Sequence, residues 1–228
     1  MSECALKTSV GKKMVMAVTG LALVGFVVAH LLGNLSIYGG PGAINAYAEK
    51  LRHLGPLLWV ARIGLITMAG LHIVTAICLV RENRAARPVP YVRQQTVETT
   101  YAARTMAVSG LIILAFIIYH LMHFTFRVTN PDLSHLHDAL GRDDVYTMVV
   151  RSFQQPVIAG FYIVAQLLLA SHLSHGLSSL LQSLGIHDSR TFACLKKAGC
   201  ATAWLIFLGY VSIPVSVLLG FIKIGGGT

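Results

Sequence analysis

The chain has 228 residues, enough for one domain, but 55% of them are hydrophobic and only 12% are charged. Ordinary soluble domains carry about a quarter charged residues, so this composition excludes a protein wetted on all sides. The formal net charge of +9 raises the question of a nucleic-acid surface, which the placement of the basic residues answers in the negative.

Five apolar stretches follow one another, at about 14–37, 57–80, 105–126, 157–181 and 199–222. Each is close to the roughly 20 residues that cross a bilayer core of about 30 Å. No small-residue cleavage site follows the first, so it reads as a span and not as a cleaved signal peptide. After span one, the GGPG run at 39–42 marks a turn. The segment Ala43–Leu54, AINAYAEKLRHL, has polar residues at helical spacing and reads as a short interfacial helix. Pro56 opens span two at a position helices tolerate. A polar, proline-bearing linker at Arg81–Thr100 leads to span three. The loop NPDLSHLHDALGRDD follows, and Pro156 opens span four. Span five contains Pro214 and no histidine, so packing is the role expected of it.

With the amino terminus inside, the inner segments hold Lys7, Lys12, Lys13, Arg81, Arg84, Arg87, Arg93, Arg104, Arg190, Lys196 and Lys197, eleven basic residues against seven outside. The inner acids are Glu3, Glu82, Glu98 and Asp188; the outer ones are Glu49, Asp132, Asp138, Asp143 and Asp144. This is the positive-inside bias that orients membrane helices. The charge reads as topology and as an inner docking face, with no nucleic-acid partner. Cys4, Cys78, Cys194 and Cys200 form no CxxC or CxxCH pattern and read as free thiols.

The most telling pattern is a repeat. Residues 16–31 read MAVTGLALVGFVVAHL and residues 106–121 read MAVSGLIILAFIIYHL, with His30 and His120 at an offset of 90. Spans two and four carry His72 and His172 at an offset of 100. Spans one to four therefore read as a parallel repeat of a two-helix unit, enclosing a shared interior as a four-helix bundle does. At about 1.5 Å of rise per residue, His30 and His120 lie roughly 22–24 Å from the inner face. His72 and His172, on spans running the other way, lie about 22 Å from the outer face. The four form an outer and an inner pair about 15 Å apart, each pair joining one helix from each repeat. Histidines this deep in lipid call for a partner, and two stacked bis-histidine haems satisfy the geometry.

Thr19, Gly20, Ser109 and Gly110 fall level with the inner pair by the same arithmetic. Glycine lets a flat macrocycle approach the backbone, and the hydroxyls can bond a propionate or a backbone carbonyl. Lys13, Arg62 and Arg104 lie near haem level, where a buried propionate needs a cationic or hydroxyl partner. Each arginine also fits an interfacial snorkelling anchor. His123 and His175, one turn from a candidate ligand, are the rival ligands, but they break the layer match. His53, His135, His137 and His187 fall in loops or at interfaces and read as solvated.

These features resemble the single-subunit, five-helix, di-haem cytochrome b anchor of the succinate:quinone oxidoreductases, which include the fumarate reductases. The likeness covers essentially the whole chain. It is carried by GKKMVMAVTGL…HL in span one, LGPLLWVARIG and GLHI in span two, SGL…YHL in span three and HLSHGL in span four, with Gly176 four residues after His172. The resemblance implies an all-α polytopic protein of the cell inner membrane, with axial ligands at His30, His72, His120 and His172, the first pairing with the third and the second with the fourth. It implies two b haems, a quinone (usually menaquinone in this class), and two cytoplasmic partners, an iron–sulfur subunit and an FAD flavoprotein. Electrons would run from succinate through those partners to the inner haem, the outer haem and quinone, or backwards for fumarate reduction. A quinone accepting from the outer haem would sit near Asn34, Glu49, His53 and Arg62, with Glu49 or His53 relaying protons. The rivals are a cytochrome b anchor of a hydrogenase, formate dehydrogenase or nitrate reductase, and a transporter whose histidines make packing contacts.

Overall fold

The structure, a computed structural model, describes residues 8–86, 101–183, 185 and 188–225. Lys7, Arg87, Arg93 and His187 of the charge and histidine patterns lie outside the described residues, as does the linker from 87 to 100. The chain is all-α, 84% helix, with five helices long and apolar enough to cross a membrane. These are α1 (Ser9–Asn34), α3 (Pro56–Ala85), α4 (Tyr101–His120), α6 (Pro156–Ser183) and α7 (Ser189–Leu218). Two shorter helices, α2 (Gly40–His53) and α5 (Val145–Phe153), cap one end of the bundle. We call this the loop end and the opposite one the amino end.

Local chemistry sets the boundaries. Thr8 is extended and its Oγ1 accepts from the Gly11 amide at 3.0 Å, starting α1. Asp144 and Asp188 do the same for α5 and α7, accepting from the Thr147 and Thr191 amides at 3.0 and 2.8 Å. Pro56 and Pro156 open α3 and α6, where a missing amide hydrogen costs nothing. Between α1 and α2 a 3₁₀ turn, Leu35–Gly39, leads into Gly40 at φ +80°, a value glycine adopts freely. The interfacial helix expected at Ala43–Leu54 is therefore α2, beginning three residues earlier.

The structure adds two features to span three and its loop. Span three is helical only to His120; Leu121–Thr125 form a π-helical turn, closed by Phe126 N–H donating to Leu121 O at 2.8 Å. The outer loop is folded, with a bridge between His137 and Asp143 and then α5, which buries Met148, Val150, Ser152 and Phe153. Asn45, 1% exposed, ties that loop to α2. Its Nδ2 donates to Asp138 and Asp144, both at 3.2 Å, and its Oδ1 accepts from the Tyr146 amide at 3.0 Å. Arg127 and Arg52 both donate to Asp143, so a carboxylate knot holds the 127–144 segment down.

The core lies off the bundle centre. Leu31, Leu173, Ala203 and Ile206 join α1, α6 and α7. Ile37, Ile44, Val150, Phe153, Tyr162 and Ile213 pack beneath α2 and α5. Along the five long helices only 6–28% of the most apolar window is buried. Apolar area left bare on that scale needs a lipid cover in place of water.

Helix packing departs from the symmetry the sequence repeat suggests. α1 packs on α3 and α4 on α6, as two copies of one unit would. α1 also packs on α6, yet among the described residues α3 and α4 scarcely touch. The fifth span supplies the reason: α7 lies along α6 and also meets α1, drawing those two together.

Candidate functional site

The four histidines expected to act together fall at two ends of the bundle, two and two, and one of these pairs is in ring contact. At the loop end the rings of His30 and His120 lie near-perpendicular, their centres 5.9 Å apart. Phe26 stacks on His30 at 5.4 Å, and Phe116 and Phe124 flank His120 at 5.9 and 5.7 Å. Toward the amino end His72 and His172 lie within electrostatic range of each other. The helices joined by each pair, α1 with α4 and α3 with α6, scarcely touch among the described residues. His30 and His120 thus adjoin between helices that scarcely touch.

The hydroxyls of the repeated segment sit level with the inner histidines. Thr19 Oγ1 lies 3.2 Å from His72 Nδ1, and Ser109 Oγ 3.1 Å from His172 Nδ1. Each hydroxyl has one hydrogen, and Thr19 gives its own to the Val15 carbonyl at 2.7 Å, Ser109 to Met106 at 3.1 Å. With the hydroxyl hydrogens on those carbonyls the imidazoles donate, which assigns the proton to Nδ1 and leaves the Nε2 lone pair bare, the tautomer that binds metal. His72 also faces the Met16 carbonyl. The hydroxyls thus hold histidine and backbone, where the sequence left a propionate open.

The glycines do a related job. A Cβ on Gly20 would stand 3.2 Å from His72 Cε1, and one on Gly110 3.4 Å from His172 Cε1. Each glycine makes room for the imidazole of the neighbouring helix. At these two positions the glycine lies against a histidine ring.

The remaining expectations fare differently. Lys13, Arg62 and Arg104 are exposed, Arg62 lying over Trp59 at 5.0 Å and Arg104 over Tyr101 at 5.9 Å. Both arginines fold back on their own helices, the anchor arrangement. Lys12, not Lys13, turns inward, to an ion pair with Glu82 that ties α1 to α3. Glu49 and His53 are 3.9 Å apart on successive turns of α2, with side chains 43% and 79% exposed. Asn34 is half-buried at the end of α1.

His123, the rival ligand in span three, is 1% exposed and has both ring nitrogens engaged, Nδ1 with Tyr162 Oη at 2.9 Å and Nε2 with the Asn130 amide at 2.7 Å. His175 is half-buried one turn inward of His172. Tyr162 is the residue that sequence reasoning missed. Its hydroxyl also reaches His120 Nδ1 at 3.4 Å. The available signal was a phenol in a lipid-length apolar run, which must find a polar partner. Tyr210 was missed too; its ring centre lies 6.3 Å from that of His30 and its hydroxyl donates to the Val27 carbonyl at 2.7 Å. α7 packs as expected, and through Tyr210 it packs against α1 beside His30.

Among the described residues no three His, Cys, Asp or Glu side chains converge as a metal held by protein donors alone requires. Two histidines suffice for an iron whose other positions a macrocycle fills. The ring centres of His30 and His120, 5.9 Å apart, leave the two imidazoles close enough for one metal to lie between them. A cleft of about 470 Å³ at the loop end, lined by Pro41, Asp138, Tyr146 and Ile224, touches none of the paired histidines. Compared with known proteins, the chain matches no protein-family model, no curated protein and no solved structure.

Proposed function

We propose that this chain is the haem-bearing membrane anchor of a succinate:quinone oxidoreductase or fumarate reductase, with a parallel repeat of two helices holding two b haems. The observation that carries the reading is the two levels of paired histidines, each joining helices that hardly touch. His30 and His120 would ligate the outer haem, His72 and His172 the inner one. Bound there, the haems supply one-electron transfer across the low-dielectric core between a cytoplasmic iron–sulfur subunit and a quinone.

The chain's own part is to position and to insulate. Thr19 and Ser109 fix the tautomer of the inner ligands. Phe26, Phe116 and Phe124 exclude water around the outer ones. At the amino end Lys13, Arg81, Arg84 and the 196–197 lysines, all exposed, form the basic face offered to the iron–sulfur subunit and the FAD flavoprotein, while Lys12 is held by Glu82. At the loop end the α2 pair Glu49 and His53 is open to water, as a proton donor to a quinone must be. The membrane assigned is the cell inner membrane.

The test is a reduced-minus-oxidised spectrum and the haem content of the purified protein. Two haem b per chain are expected, one remaining in His120→Ala and both in His123→Ala. No haem b band, or loss in His123→Ala alone, would refute the assignment. Co-purification of flavin and iron–sulfur subunits separates this anchor from those of hydrogenases or formate dehydrogenases.

A further inference from the structure

The two outer ligand candidates are supported unequally. Among the described residues the His30 imidazole makes no hydrogen bond, and the rings of Phe26, His120 and Tyr210 lie around it. His120 instead heads a chain of polar groups sunk in an aromatic shell. Its Nδ1 lies 3.4 Å from Tyr162 Oη, which lies 2.9 Å from His123 Nδ1; His123 Nε2 lies 2.7 Å from the Asn130 side-chain amide. Tyr119, Phe124 and Phe153 enclose Tyr162, at ring-centre distances of 6.1, 5.7 and 5.1 Å.

Proton counting gives this chain one direction if His120 is to bind a metal. A ligating His120 has a bare Nε2 and its proton on Nδ1, so it donates to Tyr162 Oη. The phenol has a single hydrogen and passes it to His123 Nδ1. His123 as a neutral ring then carries its proton on Nε2 and donates to Asn130, so this direction requires the carboxamide oxygen in the position where Nδ2 is placed; the two ends of that group are interchangeable. Every hydrogen then meets a lone pair. Reversing the chain would put a hydrogen on Tyr162 toward His120 and move the imidazole proton to Nε2, where it would block the metal.

The backbone is shaped to build this arrangement. The π-helical turn begins directly after His120 and contains His123, and such turns recur where a helix must re-aim a side chain at a site. Arg127, the one non-glycine with positive φ among the described residues, then reverses the chain at φ 57° and is held by the Ser134 carbonyl and Asp143. That reversal brings Asn130 back over His123.

We propose that Tyr162, backed by His123 and Asn130, is a positioning residue that fixes the ligating tautomer of His120 and lowers the reduction potential of the outer haem alone. An acceptor on Nδ1–H raises the basicity of the ligating nitrogen, and a phenol whose own hydrogen is already donated is a stronger acceptor. A more basic ligand favours the oxidised metal. This inference rests on the haem reading above. The inner ligands, held by Thr19 and Ser109 on other helices, are untouched by it.

The test uses the assembled complex with Tyr162→Phe, which keeps the ring and removes the hydroxyl. Redox titration followed by haem absorbance and electron paramagnetic resonance should show two haems, the outer midpoint shifted upward with an altered low-spin signal, and the inner haem unchanged. Asn130→Ala, at the accessible end of the chain, should give a smaller shift of the same sign, and it carries the test alone if Tyr162→Phe does not assemble. Two haems with unchanged potentials and spectra in either assembled variant would overturn the proposal, as would equal shifts of both haems. A wild-type protein without haem b would instead refute the function proposed above.

Discussion

Ser109→Ala is the sharpest test of how the inner histidines are held. Ser109 is 6% exposed, and its Oγ lies 3.1 Å from His172 Nδ1, as the acceptor in the assigned tautomer. Removing it strands a donor in a low-dielectric interior, which costs about 1–3 kcal/mol, or roughly 5- to 150-fold in an equilibrium constant. The matched change, Thr19→Val, keeps the side-chain shape and should cost less, about 0.5–1.5 kcal/mol, because the Met16 carbonyl, 3.2 Å from Thr19 Oγ1, stands beside His72 as a second acceptor. Sodium dodecyl sulfate titration of the detergent-solubilised protein, followed by far-ultraviolet circular dichroism and haem absorbance, reads both losses on one scale. Ser109→Thr restores the oxygen and should recover wild-type behaviour. The reasoning is refuted if Ser109→Ala stays within about 0.5 kcal/mol of wild type or if Thr19→Val is the more damaging change.

Three further outcomes are expected. Gly209→Ala places a Cβ 2.9 and 3.0 Å from the two Leu31 methyls in the buried α1–α7 contact, so it should destabilise by about 1–3 kcal/mol; Leu31→Val should recover part of that, and simple additivity in the double variant would argue against the clash. The hydrogen bond from Arg52, with help from Arg127, holds the Asp143 carboxyl down to about 2, and that from Arg142 does the same for Asp138. Both values fall below the ordinary 3.8, so their contribution is complete above that pH and fades as pH drops toward about 2. Proteolysis of the 127–144 segment should rise across that window, and Arg52→Gln should loosen the segment at neutral pH while shrinking its acid dependence; an unchanged acid profile would count against the knot. Glu49→Gln should keep both haems and lose quinone turnover, and full turnover would remove Glu49 from the quinone site.

The five apolar helices were legible because crossing lipid demands length and hydropathy, both of which are local properties of the chain. Pro56 and Pro156 were legible as helix starts for the same reason. The levels of the histidines were legible too, since helical rise converts residue number directly into depth; His72 falls beside Thr19 and His172 beside Ser109 as that arithmetic requires. What rise cannot give is azimuth, the direction in which a side chain leaves its helix. Azimuth decided that Gly20 and Gly110 abut histidine rings, that Arg62 and Arg104 fold over aromatic neighbours, and that His123 turns to Tyr162. The π-helical turn that aims His123 breaks helical periodicity, so no count of 3.6 residues per turn could anticipate it. The asymmetry of the two repeats likewise came from outside them: α7 draws α1 and α6 together, and only the packing of a fifth helix, invisible in the repeat itself, could decide which of the four would meet.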